Sequence, residues 1–410
     1  MRRMSLLVIV LFALPIFAQE NTGAKSFKFF GGIGADYMSD TLWFNLTLQP
    51  ELGLGPVGFG LDIPLRVSNK GRFRSEDWDS PTDIFGKIRY LRVGYVNSPL
   101  YLKVGVLDHT VIGDGFIMDN YSNTLDENAR KSGVILASDL GKFGSKILYS
   151  NLAKPEIVGT RVFIRPIRFI APVPIIDNLE TGVSYIADLN PDNNDTTNGA
   201  LGFTGFDIGL PIIGTGMLSI KFYADYAKIT NYGSGFGAGG RIDFNFIMNI
   251  LRFSAKFEKR ILSDQFIPSY FDPLYEAQKV GKETMLSSYH GNFDGYYGEL
   301  TATAFGRLTL GGNYQYYHNM ANSGKIHLTL DGTKFIEDMP ILIMYDKSGI
   351  ESINDVFTIN ENTIYTVSVS KKIFLKLYGT VTLQRKFQYN ENKNTYDPLN
   401  KYSFMLGVKL

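Results

Sequence analysis

The sequence predicts an all-β fold, a transmembrane antiparallel up-and-down β-barrel of roughly 16–20 strands. Three observations carry that expectation. Apolar and polar residues alternate with period two along almost the whole chain. The alternating segments run to about ten residues, the length a tilted strand needs to cross a bilayer. Short and long connections take turns between them, as they do where tight periplasmic turns face longer external loops.

Composition removes the main alternatives. The chain has 410 residues, 41 basic and 40 acidic side chains, four histidines and no cysteine. Without cysteine there are no disulfides, thiolate nucleophiles, iron–sulfur clusters, thiolate zinc sites or lipoprotein anchor. The even charge balance argues against nucleic-acid binding by phosphate neutralisation. A mean hydropathy of −0.04, without repeated apolar runs of about 20 residues, argues against a bundle of membrane helices.

Residues 1–18 (MRRMSLLVIVLFALPIFA) read as a cleaved export signal: Arg2 and Arg3 precede an apolar run from Leu6 to Phe17, with a small exit at Ala18. Residues 19–410 then form one barrel domain of the outer membrane. The strand pattern begins about eight residues beyond the cleavage point, so no N-terminal plug domain is expected.

Three segments show the alternation most cleanly. In 251–261, Leu251, Phe253, Ala255, Phe257 and Ile261 oppose Arg252, Ser254, Lys256, Glu258 and Arg260. In 218–226, Leu218, Ile220, Phe222, Ala224 and Tyr226 oppose Ser219, Lys221, Tyr223 and Asp225. In 375–386, Leu375, Leu377, Val381 and Leu383 oppose Lys376, Thr380, Thr382, Gln384 and Lys386. The pattern recurs near 42–49, 57–68, 100–107, 326–331 and 364–370. Short connections are expected at Gly55-Pro56, Asn97-Ser98-Pro99, Gly141-Lys142-Phe143, Ile213-Gly214-Thr215, Met248-Asn249-Ile250, Arg307 and Lys372-Ile373. Longer ones occupy 69–87, 108–130, 190–200, 263–293, 348–362 and 389–400. Lipid covering the apolar rows would forbid an open sheet edge, because unpaired backbone groups there cost several kcal/mol each, so the sheet must close. Phe29, Phe30, Tyr37, Phe44, Tyr95, Tyr226, Tyr316, Tyr317 and Tyr389 fall near strand ends, where aromatic rings suit the headgroup boundary.

The last strand, 401–410, places Tyr402, Phe404, Leu406, Val408 and Leu410 in one row. It resembles the C-terminal assembly signal of the porin-type outer-membrane β-barrels of Gram-negative bacteria, and the whole mature chain is similar to that group in pattern. It departs from the usual signal by ending in Leu410 and by carrying Gly407 late. The resemblance implies a porin-like outer-membrane channel for passive diffusion of small hydrophilic solutes. The alternative is a non-conducting barrel acting as scaffold, adhesin or envelope-assembly component. The implied partners are outer-membrane lipid, the barrel-assembly machinery, small hydrophilic solutes and further copies of the chain, with no nucleic acid.

A lumen this wide holds water unless something fills it. The loop 108–130 mixes Asp108, Asp114, Asp119, Asp126 and Glu127 with Val111, Ile112, Phe116, Ile117 and Met118, and reads as a loop that packs into the lumen. Strand phase points Arg92, Lys103, Lys146, Arg161 and Arg165 inward. Acids on the loop facing bases on the wall would set up a transverse field at a constriction. The slight excess of inward bases gives a weak preference for anions.

No catalytic, cofactor or metal site is expected. His109, His290, His318 and His327 lie in no nucleophile motif. The Asn/Asp-rich stretch 188–195 (DLNPDNND) reads as a turn-forming external loop with calcium as the alternative. The glycine-rich run 233–240 reads as a flexible loop entering a strand at 241, and 165–178 as a longer periplasmic turn. Loop 263–293, with Tyr270, Phe271, Tyr275, Tyr289 and Phe293, is a candidate to bind a partner or occlude the mouth.

Overall fold

The structure is a computed structural model that describes residues 25–38, 40–96, 98–124, 130–170, 173–192, 199–246, 250–333, 339–390 and 395–410. The export signal read in 1–18 lies outside them. The chain forms a closed antiparallel barrel of 20 strands. In order these are β1 (Lys25–Met38), β2 (Thr41–Leu54), β3 (Val57–Leu61 and Ile63–Ser68, interrupted at Asp62), β4 (Ile88–Val93), β5 (Leu100–Gly105), β6 (Gly133–Asp139) and β7 (Phe143–Tyr149). Next come β8 (Ile157–Ile164), β9 (Glu180–Asp188), β10 (Leu201–Gly214), β11 (Leu218–Ile229), β12 (Ser234–Phe246), β13 (Leu251–Leu262) and β14 (Phe293–Ala304). The series ends with β15 (Leu308–His318), β16 (Gly324–Asp331), β17 (Ile341–Ile350), β18 (Thr363–Phe374), β19 (Leu377–Asn390) and β20 (Thr395–Lys409). Neighbours in sequence pair antiparallel, and β1 pairs with β20 (Ala35 opposite Phe404) to close the wall.

The wall is inside-out relative to a water-soluble sheet. On β13, Glu258 and Arg260 are fully buried while Phe257 and Ile261 on either side of them are 59% and 53% exposed. The same inversion exposes Phe206, Phe222, Leu300, Leu310, Val381 and Phe404. An apolar belt of this kind suits hydrocarbon, with every strand edge paired. Among the described residues no helix is long and apolar enough to cross a membrane.

Most boundaries fall where alternation places them, and the differences have local causes. The Gly-rich run is already strand from Ser234, because its glycines occupy inward positions crowded by loop aromatics. The last strand begins at Thr395 rather than 401, pairing Tyr396 with Tyr389, so the expected loop 389–400 shrinks. The turn expected at Lys372-Ile373 falls at Leu375-Lys376. Tyr317 is not at the outer girdle but buried inward against Arg260, and the side chain of Tyr389 lies outside the described residues. The 165–178 turn holds two short 3-10 helices, Pro166–Phe169 and Ile176–Asn178.

Candidate functional site

Two long loops fold inward and interlock. The first follows β5 and carries a short ribbon, Thr110–Ile112 with Met118–Tyr121. Gly113 and Gly115 have φ of 62° and 95°, a left-handed conformation that glycine adopts without steric cost, and they make the turn at its tip. The tip is held from the far wall: Lys221 Nζ of β11 donates to the Asp114 carboxylate at 2.6 and 2.9 Å, and Lys256 of β13 donates to its carbonyl.

The second loop, between β13 and β14, lies alongside the ribbon. Ser269 N donates to Phe116 O at 2.7 Å, Phe271 N to Ile117 O at 3.1 Å, and Asp119 N to Phe271 O at 3.0 Å. Met118 and Phe271 form a parallel bridge. The loop continues into the helix Tyr275–Ser288, whose start is aided by Asp272 accepting the Leu274 N–H at 3.1 Å. Glu276 on that helix accepts from Tyr121 of the first loop and from Lys131 Nζ at 2.6 Å. Together the loops fill part of the lumen with one apolar cluster that includes Phe116, Ile117, Met118, Tyr121, Phe266, Tyr270, Phe271 and Tyr275.

The wall makes room for these side chains. A Cβ placed on Gly205 would lie 2.7 Å from Ile117, and one on Gly237 would lie 2.9 Å from Phe116; Gly235 would meet Phe266. Inward glycines opposite loop aromatics were the signal that could have located the plug in the sequence.

The structure places the sequence-derived constriction residues as follows. Asp108 pairs with Lys103 at 2.7 Å in an exposed position. Asp114 and Asp119 lie on the ribbon; Asp126 and Glu127 lie outside the described residues. Arg161 is bound by Asp207 (2.9 Å from Nε) and Glu180 (2.9 Å), and Arg165 by Asp139 and Glu180, both at 2.8 Å. Lys146 donates to Val111 O at 2.7 Å and Arg92 to Gly94 O at 2.8 Å. Of the two named sets, then, only Asp108 and Lys103 meet as an ion pair among the described residues. Arg161 and Arg165 are neutralised by wall acids (Asp139, Glu180, Asp207) that strand phase alone did not bring forward. Beneath the plug tip, Asp139, Arg165, Arg168, Glu180 and Lys221 line a polar cleft of about 410 Å³.

The opposite side of the lumen is different. On β18 and β19 a run of inward hydroxyl and amide side chains bonds across the two strands: Ser368 with Thr382 at 3.0 Å, Ser370 with Thr380 at 2.8 Å, and Gln384 Nε2 to Thr366 at 3.2 Å. All six are partly exposed. A second cleft lies where the plug meets β14–β17, edged by Asp119 and Asp272 on the loops and by Tyr297, Gln315, His327 and Asp346 on the wall.

Charges within the loops are shifted by burial. Lys282, 2% exposed, has its ammonium pushed down to about 8, with Asp272 at 2.8 Å opposing the shift. Burial raises the Asp119 carboxyl; Lys256 opposes the rise and Glu299 adds to it. Burial also disfavours the charged Asp272, yet Lys282 and Lys325 hold it below the ordinary range.

The other candidates resolve simply. His327 Nδ1 lies 2.7 Å from Asp346 on the lumenal face. His290 and His318 are exposed beside Asp264 and Asp294. In the 188–195 stretch, Asp188 is engaged by Tyr275 and by Lys279 at 3.2 Å, while 193–195 lie outside the described residues.

No protein-family profile matches the sequence, and no curated protein matches it. Solved structures do. Pseudomonas aeruginosa OpdL aligns with a TM-score of 0.37 and 10% identity over 94% of this chain and 98% of that one. Acinetobacter baumannii OccAB2 gives 0.36 and 10% over 94% and 98%. The outer membrane protein opdK from Pseudomonas aeruginosa gives 0.35 and 10% over 94% and 99%. The resemblance is to porin-type barrels. At these scores it extends to barrel architecture and carries nothing about solutes.

Proposed function

We propose that the protein is an outer-membrane channel for passive diffusion of small hydrophilic solutes. Its conduit is the lane between the two-loop plug and the hydroxyl-lined arc of β18 and β19. The observation that carries this reading is the asymmetry of the lumen. Apolar side chains pack one part of it densely, whereas the Ser/Thr ladder of the other stays partly exposed. Hydroxyls spaced along a wall can exchange hydrogen bonds with water and with a passing polar solute, so no full desolvation penalty is imposed on it.

The first loop is the constriction, with Asp119 on its edge facing the cleft with Tyr297 and His327. Asp108, Asp114, Arg92, Lys103, Lys146, Arg161 and Arg165 act here mainly as the ion pairs and hydrogen bonds that hold the loop and the wall behind it. Fixed in this way, the loop narrows the lane without needing to move.

The purified chain, inserted into planar bilayers, should give steady ohmic current steps. A folded barrel that inserts and stays silent would reject the channel. The densely packed plug favours a second reading in that event, a scaffold or envelope-assembly component.

A further inference from the structure

We propose that Asp225 holds a sodium-sized monovalent cation between the wall and the tip of the plug ribbon. The site is independent of whether the barrel conducts. Asp225 points inward from β11 and is 5% exposed, and its buried Oδ2 has no hydrogen-bond partner. It lines a small void together with Gly113, Phe116 and Ile117 of the first loop and with Ser184 and Asp207 of the neighbouring strands. The void measures about 10 Å³, room for one particle the size of a water molecule.

The chain supplies no counter-charge there. Directly opposite Asp225 on β10 stands a second carboxylate, Asp207, and like charges facing each other across two strands repel. Opposite it on β12 stands Gly237, which has no side chain to offer. The nearby bases are all engaged elsewhere. Arg161 binds Asp207 and Glu180, each at 2.9 Å, and Lys221 binds Asp114 at 2.6 Å. Lys256 donates to Asp114 O and lies 3.5 Å from Glu258, and Arg260 donates to Glu258 and Gln315. Among the described residues Asp225 makes no ion pair.

A carboxylate buried without a counter-charge is costly, and a bound cation removes that cost. Carboxylate and hydroxyl oxygens suit a hard cation. One unanswered carboxylate matches one positive charge, and among the described residues no group of three or more acids or histidines is placed to hold an ion of higher charge. A sodium ion is smaller than a water molecule and fits the void, whereas an organic cation does not. The ribbon backbone approaches the same place: a Cβ on Gly113 would lie 3.5 Å from Asp207 Oδ2. The ion therefore ties the ribbon tip to β10 and β11.

The test uses the full chain in detergent micelles. Protease cleavage of the ribbon 110–121 is measured in sodium chloride and in N-methylglucamine chloride of equal ionic strength. Wild type should be cut about fivefold more slowly in the sodium salt, with a dose dependence that saturates. Asp225→Asn keeps the shape of the side chain, removes its charge and should lose that protection. Ser184→Ala should need about threefold more sodium to reach it. Asp79→Asn, which removes an exposed acid of an external loop, should respond as wild type does. Heat-modified gel migration reports whether each barrel folds, and Ser184→Ala carries the test if Asp225→Asn does not. Equal cleavage of wild type in the two salts overturns the site and leaves Asp225 with a water molecule or a proton. Sodium protection that persists in Asp225→Asn, or an unshifted dose dependence in Ser184→Ala, overturns it as well. None of these results touches the channel, which the current steps test separately.

Discussion

The plugged side of the lumen and the hydroxyl arc are built from the same strand alternation, yet they do opposite things with their inward positions. Along β8–β13 those positions carry glycines that admit loop aromatics, or charges answered across strands, such as Arg161 with Asp207. Along β18 and β19 they carry Ser and Thr, which bond to each other and stay partly exposed. The difference teaches that a barrel's periodicity fixes which face is wet, while the size and charge of the inward residues fix how much water remains. An ion pair behind the plug is shielded from solvent and structural. A hydroxyl on the open arc costs little to hydrate, and its value lies in being available.

That contrast can be broken most directly by removing the plug. Replacing 110–121 by a short Gly-Ser turn should raise single-channel conductance several-fold; an unchanged conductance would mean that the ribbon does not narrow the lane. The next largest effect is expected from Phe271→Ala. The ring is fully buried among Phe203, Tyr270 and Tyr275, and its loss should destabilise the plug by about 3–5 kcal/mol, seen as earlier proteolysis of loop 263–292. Gly237→Leu should cost about 1–3 kcal/mol by overpacking against Phe116, whereas Ser368→Leu should leave stability nearly unchanged and reduce conductance. Equal outcomes for these two would erase the distinction between the arcs.

A smaller effect separates the two by pH. Lys282, inside the plug, is pushed down to about 8. In the unfolded loop it would keep its proton up to the ordinary lysine value, about 10.4. Between these values the unfolded state binds more protons, so resistance of the plug to proteolysis should rise as pH increases from about 8 towards 10. Lys282→Met should abolish that rise. Smallest of all, Ser370→Ala should shift the unfolding midpoint by no more than the roughly 1 kcal/mol of one hydrogen bond.

How much of this was legible in the sequence differs between wall and contents. Alternation placed the outward row of 218–226 and the inward charges of 251–261 correctly, because a lipid-facing strand has only two environments and they repeat every second residue. The packing of loop 108–130 was legible from Phe116, Ile117 and Met118, which a solvated loop would not keep. Their partner was not. Tyr270, Phe271 and Tyr275 read as a surface to bind a partner or to occlude the mouth, since nothing local tells an aromatic loop whether to fold outward or in. The answer lay in Gly205, Gly235 and Gly237 on other strands. The same limit hid the partners of Arg161 and Arg165: phase shows that a side chain points inward, and only strand pairing shows that Glu180 and Asp207 stand beside it.

The interlocked loops also constrain how the protein is made. Ser269 and Gly115, which bond across the plug, are 154 residues apart in sequence. Neither loop alone offers its aromatic residues a dry place to rest, since each supplies the surface that covers the other. The plug is thus a contact of long sequence separation, formed only when both segments lie inside the same wall.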